Sequence, residues 1–141
     1  MNEALDERGL PPGQACRADL ETTPREVHRA LIGLTGGPAI LLIDVRTAEE
    51  YAAAHVPGSV LIPLHELEAR ADEIDADWHA PIAVLCHHGA RSLRGALLLR
   101  AMGFSAARSV VGGIDLWARD VDPAVPRYEM SGGRCVRIAP V

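Results

Sequence analysis

Residues 81–103 read PIAVLCHHGARSLRGALLLRAMG, and this stretch decides the architecture. Its first six residues form a short apolar run, the pattern of a strand buried on both faces. RSLRGALLLRAMG then predicts a helix with its leucines on one side, and Gly103 stands just past its end. A strand that passes within a few residues into a helix is half of a βαβ unit. The joint between the two holds Cys86, His87, His88, Gly89 and Arg91.

The same alternation repeats on either side. TTPREVHRALIGL (22–34) predicts a helix, with Thr23 as N-cap, Pro24 at the first helical position and Glu26 completing a capping box. AILLIDV (39–45) is a second buried strand, TAEEYAAA (47–54) a helix and HVPGS (55–59) a turn. VLIPL predicts a strand, HELEARADEI (65–74) a helix, ARSVVGG (107–113) a strand and IDLWARD (114–120) a short helix. Strands alternating with helices over short loops imply an α/β fold: an open sheet of about five mostly parallel strands with helices on both faces. One domain is expected over 22–128. A loosely ordered extension (1–21) with the breaker PPGQ precedes it, and a Pro/Gly-punctuated tail (129–141) follows.

Composition narrows the function classes. The 141 residues suit one domain with an aliphatic core, since 48% are apolar and 4% aromatic. A net charge of −5 argues against nucleic acid or an anionic membrane as main partner. All fourteen basic residues are arginine, which excludes Schiff-base chemistry and a P-loop lysine. The arginine and alanine excess fits a GC-rich bacterial genome. No apolar run reaches the roughly 20 residues of a bilayer span. The N-terminus is polar and lacks an apolar signal core, so a cytoplasmic location is expected. Cys16, Cys86 and Cys135 are odd in number and lack CxxC spacing, so no disulfide framework is expected.

In an open parallel sheet ligands bind at the carboxyl edge of the strands. Asp44 ends one apolar run and Cys86 another, so both are expected at that edge. A tight loop there turns backbone N–H groups inward, and the start of the following helix near Ser92 adds about half a positive charge. Arg91 adds a full one, and Gly89 can take positive φ. Each feature favours a thiolate, the nucleophilic form of cysteine. The bland alternative is a cysteine that merely packs, as buried cysteines often do; Gly89, Arg91 and the helix tip the balance toward chemistry.

CHHGARS resembles the active-site loop of rhodanese-like sulfurtransferases: a Cys, four residues, then Arg and Ser. LLIDVRTAEEYAAAHVPGSVLIP resembles the upstream signature of that family, and VVGGIDLWARD its downstream Gly-Gly-x-x-x-Trp. Together they cover about 40–119 in the family's order. Ala54 departs from the pattern, where the family usually has Gly. The resemblance implies a Cys86 persulfide whose outer sulfur accepts N–H bonds from residues 87–91. The substrate-binding loop would then be His87, His88, Gly89, Ala90, Arg91 and Ser92. Arg91 would orient an anionic donor or brace the loop, with Asp44 and Arg46 in support. A loop of six residues from Cys86 to Arg91 suits one sulfur better than the tetrahedral oxyanion bound by the one-residue-longer loop of cell-cycle phosphatases. A phosphatase or arsenate reductase is therefore disfavoured.

The implied partners are a small anionic sulfur donor, thiosulfate or a persulfide, and a desulfurase or sulfur-carrier protein. The tail segment DPAVPRY resembles the ends of rhodanese domains joined to enzymes that activate sulfur carriers, which suits a relay module as the alternative to a turnover enzyme. No cofactor and no metal are expected. His87 and His88 should point apart as neighbours in an extended segment, with no spaced partner to complete a ligand set. Other residues read as structural. Asp44 is expected to hold N–H groups at the strand end, and Arg46 to pair with Glu49 or Glu50. Trp117 should pack the last helix onto the sheet and His55 should anchor its turn, while His28, His65 and His79 read as surface positions. Cys135 would resolve a persulfide only if the tail can reach.

Overall fold

The computed structural model describes residues 4–139. Five parallel strands form one sheet: β1 (Glu21–Thr22), β2 (Leu41–Asp44), β3 (Val60–Leu61), β4 (Ile82–Leu85) and β5 (Ala107–Val110), in the order β1-β5-β4-β2-β3. The helices are α1 (Pro24–Leu31), α2 (Ala48–Ala53), α3 (Ala90–Ala101) and α4 (Gly113–Asp120). The chain leaves β2 toward one edge of the sheet and β4 toward the other. The crevice between these neighbours is thus the switch point, where open α/β sheets place their ligands.

Side-chain alternation along β4 splits the core. Ala83 and Leu85 face α1 and α4 with Val27, Leu42, Ile114 and Trp117, while Ile82, Val84 and Cys86 face α3 with Ile43, Ala96 and Leu99. Cys86 therefore continues the strand's period and projects on the α3 side. Gly95 lets that helix approach closely, because a Cβ there would lie 3.1 Å from Val84 Cγ1. Trp117 packs α4 onto the sheet as expected. Gly103, at φ 115°, closes α3.

Several local expectations fail for physical reasons. The leucines of α3 do not share one side: Leu99 is buried but Leu97 is 46% exposed, since consecutive helical residues lie about 100° apart. HELEARADEI makes two 3₁₀ turns, Leu64–Glu66 and Ala71–Glu73, rather than one helix. Leu67 and Ile74 are anchored in the core, and the Leu64 N–H is tethered to the Val45 carbonyl at 3.0 Å, which sets the path. At α1, Thr23 caps Glu26 N–H, but the Glu26 carboxylate takes the Thr22 hydroxyl at 2.9 Å instead of closing a box. The full capping box belongs to α2, between Thr47 and Glu50. His28 is half-buried, edge-on to Trp117.

The segments expected to lie outside the fold are packed onto it. Leu10, 3% exposed, sits on Val111 and Leu116, and β1 extends the sheet at its β5 edge. In the C-terminal stretch read as tail, β6 (Arg127–Ser131) and β7 (Arg134–Ile138) form an antiparallel hairpin turned by Gly132 and Gly133. It seats Tyr128 in the core beside α2 and α4. Among the described residues no helix is long and apolar enough to cross a membrane.

Candidate active site

Asp44 and Cys86 stand side by side at the carboxyl edge, because Asp44 is in register with Leu85 and the Val45 N–H reaches the Leu85 carbonyl at 3.0 Å. Cys86 is 1% exposed. Its Sγ accepts the Gly89 N–H at 3.0 Å and lies 3.2 Å from Ser92 Oγ. Gly89 is the N-cap of α3 with φ 119°, so the loop uses the backbone freedom expected of it. Among the described residues no other loop amide is directed at Sγ. The sulfur sits beneath the helix start, where unpaired N–H groups and the helix dipole favour negative charge.

The loop is held from behind by a close backbone approach. The N–H groups of Ile114 and Asp115 donate to the carbonyls of Cys86 (2.8 Å) and His87 (3.2 Å). A Cβ on Gly113 would fall 2.3 Å from the His87 oxygen and 2.5 Å from the Cys86 oxygen, and one on Gly112 would fall 2.6 Å from Leu116. Gly113 thus lets α4 dock tightly on the loop, while Gly112, at φ 71°, leaves room for Leu116 of α4 itself, which gives a physical reason for the Gly-Gly pair.

Arg91 braces the loop. Its guanidinium forms a bidentate pair with Glu50 at 2.6 and 2.8 Å, tying α3 to α2. Arg46 is fully buried and pairs with Asp44 at 2.6 Å, correcting the expected pairing with the carboxylate of Glu49 or Glu50. Its remaining hydrogens go to the carbonyls of Glu50 and Ala54 and to Tyr128 Oη at 2.9 Å. Asp44 also accepts the Arg46 backbone N–H, part of its expected role. Tyr128 Oη in turn donates to Glu50 at 2.6 Å. Two carboxylates and two guanidiniums thus close a neutral network, and no buried side-chain polar atom among the described residues lacks a partner. Burial alone would push the Glu50 carboxyl up, but Arg91 and Tyr128 outweigh it and hold it down at about 2. Burial and then Glu50 push the Tyr128 phenol well above its ordinary value.

His87 and His88 do not point apart. Their rings meet at 3.9 Å, and His87, buried, stacks on Tyr128 at 4.1 Å and 8°. Burial, then the neighbouring His88, lowers the His87 pKa. The neutral ring donates from Nε2 to the Tyr128 carbonyl at 3.0 Å. His88 and Ala90 form the exposed rim of the loop. His55 bonds the Tyr51 carbonyl at 2.9 Å and stacks on its ring, and His65 and His79 are exposed. Among the described residues no group of three His, Cys, Asp or Glu side chains could hold a metal ion. Cys16 packs near Leu10, and Cys135 lies 3.6 Å from Met130 Sδ; burial pushes both thiols up.

Three participants were missed in the sequence: Glu50, Tyr128 and Ser109. Glu50 was signalled by its T-x-x-E spacing from Thr47, and Tyr128 ends the DPAVPRY segment. Ser109 is a polar residue inside a buried strand; its Oγ lies 2.7 Å from Ser92 Oγ. On the α3 face a cleft of about 750 Å³ opens beside the loop, lined by Leu64, His65, Arg91, Arg94 and Leu97 among others.

The comparisons agree with this geometry. The rhodanese-like domain family model matches residues 27–120. An adenylyltransferase and sulfurtransferase of Zea mays, MOCS3-1, is 38% identical over 97 residues, covering 65% of this chain and 21% of that protein. The Ogataea parapolymorpha adenylyltransferase and sulfurtransferase uba4 is 35% identical over 112 residues, covering 79% of this chain and 28% of its own length. The chain thus spans less than a third of these relatives. The human single-domain sulfurtransferase TSTD1 superposes with a TM-score of 0.58 at 28% identity, over 72% of this chain and 96% of that one. With the parallel sheet, the loop at its switch point and the glycine-docked α4 all in place, the chain belongs to the rhodanese-like domain family.

Proposed function

We propose that this chain is a sulfurtransferase that carries a single sulfur on Cys86. The observation that bears most weight is the Cys86 sulfur at the end of the central strand, receiving the Gly89 N–H beneath the start of α3. In the first step the Cys86 thiolate attacks the outer sulfur of thiosulfate. The S–S bond of the donor breaks, sulfite leaves with the electron pair, and Cys86 becomes a persulfide anion. In the second step cyanide or a thiolate attacks the outer sulfur, taking it as thiocyanate or as a new persulfide and returning the Cys86 thiolate. The N–H groups of the first turn of α3 not bound to Sγ are placed to receive the charge on the outer sulfur. Arg91, held by Glu50, keeps that turn in position, and Arg94 on the cleft wall meets the anionic donor.

The test is thiocyanate formation from thiosulfate and cyanide. Wild type is expected to turn over and Cys86→Ser to lose all activity; equal rates would refute the reading. A second reading is favoured by the relatives, which join a sulfurtransferase to an adenylyltransferase. In that case the domain accepts sulfur from a desulfurase and hands it to a carrier protein. Slow turnover with cyanide, together with full loading by a cysteine desulfurase, selects the relay.

A further inference from the structure

Ser109 lies on β5, outside the loop, yet its hydroxyl is one hydrogen bond from the residue that touches the sulfur. Ser92 Oγ has three polar neighbours: Cys86 Sγ at 3.2 Å, the Gly89 carbonyl at 3.1 Å and Ser109 Oγ at 2.7 Å. All three side chains are buried, with Ser92 and Ser109 fully enclosed. The side chains lie out of reach of bulk solvent, so the hydrogens of the two hydroxyls are shared among these groups.

With Cys86 as a thiol, S–H donates to Ser92 Oγ and Ser92 donates to the Gly89 carbonyl. With Cys86 as a thiolate, the sulfur can only accept, so Ser92 must turn its hydrogen onto Sγ. That turn leaves the Gly89 carbonyl with the Leu93 N–H, at 3.1 Å, as its donor, while the Ser109 hydroxyl, 2.7 Å from Ser92 Oγ against 3.5 Å from that carbonyl, gives its one hydrogen to Ser92. A hydroxyl that itself accepts a hydrogen bond is also a stronger donor.

We propose that Ser109 is a positioning residue for the Cys86 anion: its hydroxyl backs Ser92 and commits the Ser92 hydrogen to the sulfur. The inference rests on the reading of Cys86 as the sulfur-carrying nucleophile. Its contribution is that of one buried neutral hydrogen bond, which amounts to roughly a threefold to tenfold effect on the thiolate population.

The test is the pH dependence of Cys86 alkylation by iodoacetamide in the 141-residue chain carrying Cys16→Ser and Cys135→Ser. The variants compared are Ser109→Ala, Ser92→Ala and the double variant, each checked for a native circular dichroism spectrum. Ser109→Ala is expected to move the alkylation midpoint to higher pH and slow the reaction at neutral pH roughly threefold to tenfold. Ser92→Ala should do at least as much, and adding Ser109→Ala to it should do nothing further. A Ser109→Ala profile that superposes on its parent, or an equal effect with and without Ser92, would overturn the inference. Alkylation needs no sulfur donor, so this result stands apart from whether Cys86 carries sulfur in turnover.

Discussion

The phenol of Tyr128 and the carboxylate of Glu50 meet at 2.6 Å across 78 residues of chain. That bond joins the terminal hairpin to α2, and Glu50 passes the constraint to Arg91 on the first turn of α3. The hairpin is therefore coupled to the loop that holds Cys86 by this relay through Glu50 and Arg91, besides the direct bond and ring stacking between His87 and Tyr128.

Tyr128→Phe tests that coupling. The ring still stacks on His87 and still lies under the Arg46 guanidinium, 5.6 Å away. Glu50 loses a donor and Arg46 an acceptor in a buried site. A loss of about 1–2 kcal/mol is expected from urea unfolding. An unchanged midpoint would mean that the hydroxyl holds nothing.

Glu50 also sets an acid limit. Its carboxyl, ordinarily near 4.5, titrates at about 2 in the fold. The folded state therefore holds this proton less tightly than the unfolded chain. The resulting stability is fully present above pH 4.5 and is lost as pH falls toward 2. Glu50→Gln should be less stable at neutral pH and lose less on acidification through that window. Parallel denaturation curves for the two proteins would contradict the assignment.

His87 adds a milder dependence of the same sign. Burial lowers its pKa below the ordinary 6.5, so the unfolded chain takes up the proton first and stability declines as pH falls below that value. His87→Phe keeps a ring against Tyr128 and has nothing to protonate. Its stability between pH 7 and 5 (on the order of the imidazole range) should be flatter than that of wild type.

Gly113→Ala probes the support behind the loop. A methyl there collides with the carbonyls of His87 and Cys86 at φ 60°, and a cost of about 2–3 kcal/mol with slower sulfur loading is expected. Gly132→Ala, at φ 58° in the hairpin turn, meets nothing within 4 Å and should cost only the backbone strain, about 1 kcal/mol. Equal losses would show that the contact with the loop is not what fixes Gly113.

Much of this was legible because it is local or periodic. The apolar runs gave β2, β3 and β4, ARSVVGG gave β5, and the placement of Asp44 and Cys86 at one edge followed from parallel pairing. What escaped was long-range. Nothing near Arg91 in sequence names Glu50, 41 residues away, as its partner. Nothing near Glu50 names Tyr128, whose hairpin gains its stability by burying that ring rather than from a strong strand pattern. The ring contact of His87 and His88 likewise depends on Tyr128 supplying the surface on which the first ring stacks.

Whether sulfur rides on the side chain at position 86 is answered by weighing the intact protein. After incubation with thiosulfate or with a desulfurase and cysteine, wild type should gain the mass of one sulfur atom. The gain should vanish on reduction and never appear in Cys86→Ser. A wild-type mass that stays unchanged under both donors, or a gain that survives in Cys86→Ser, would contradict the account.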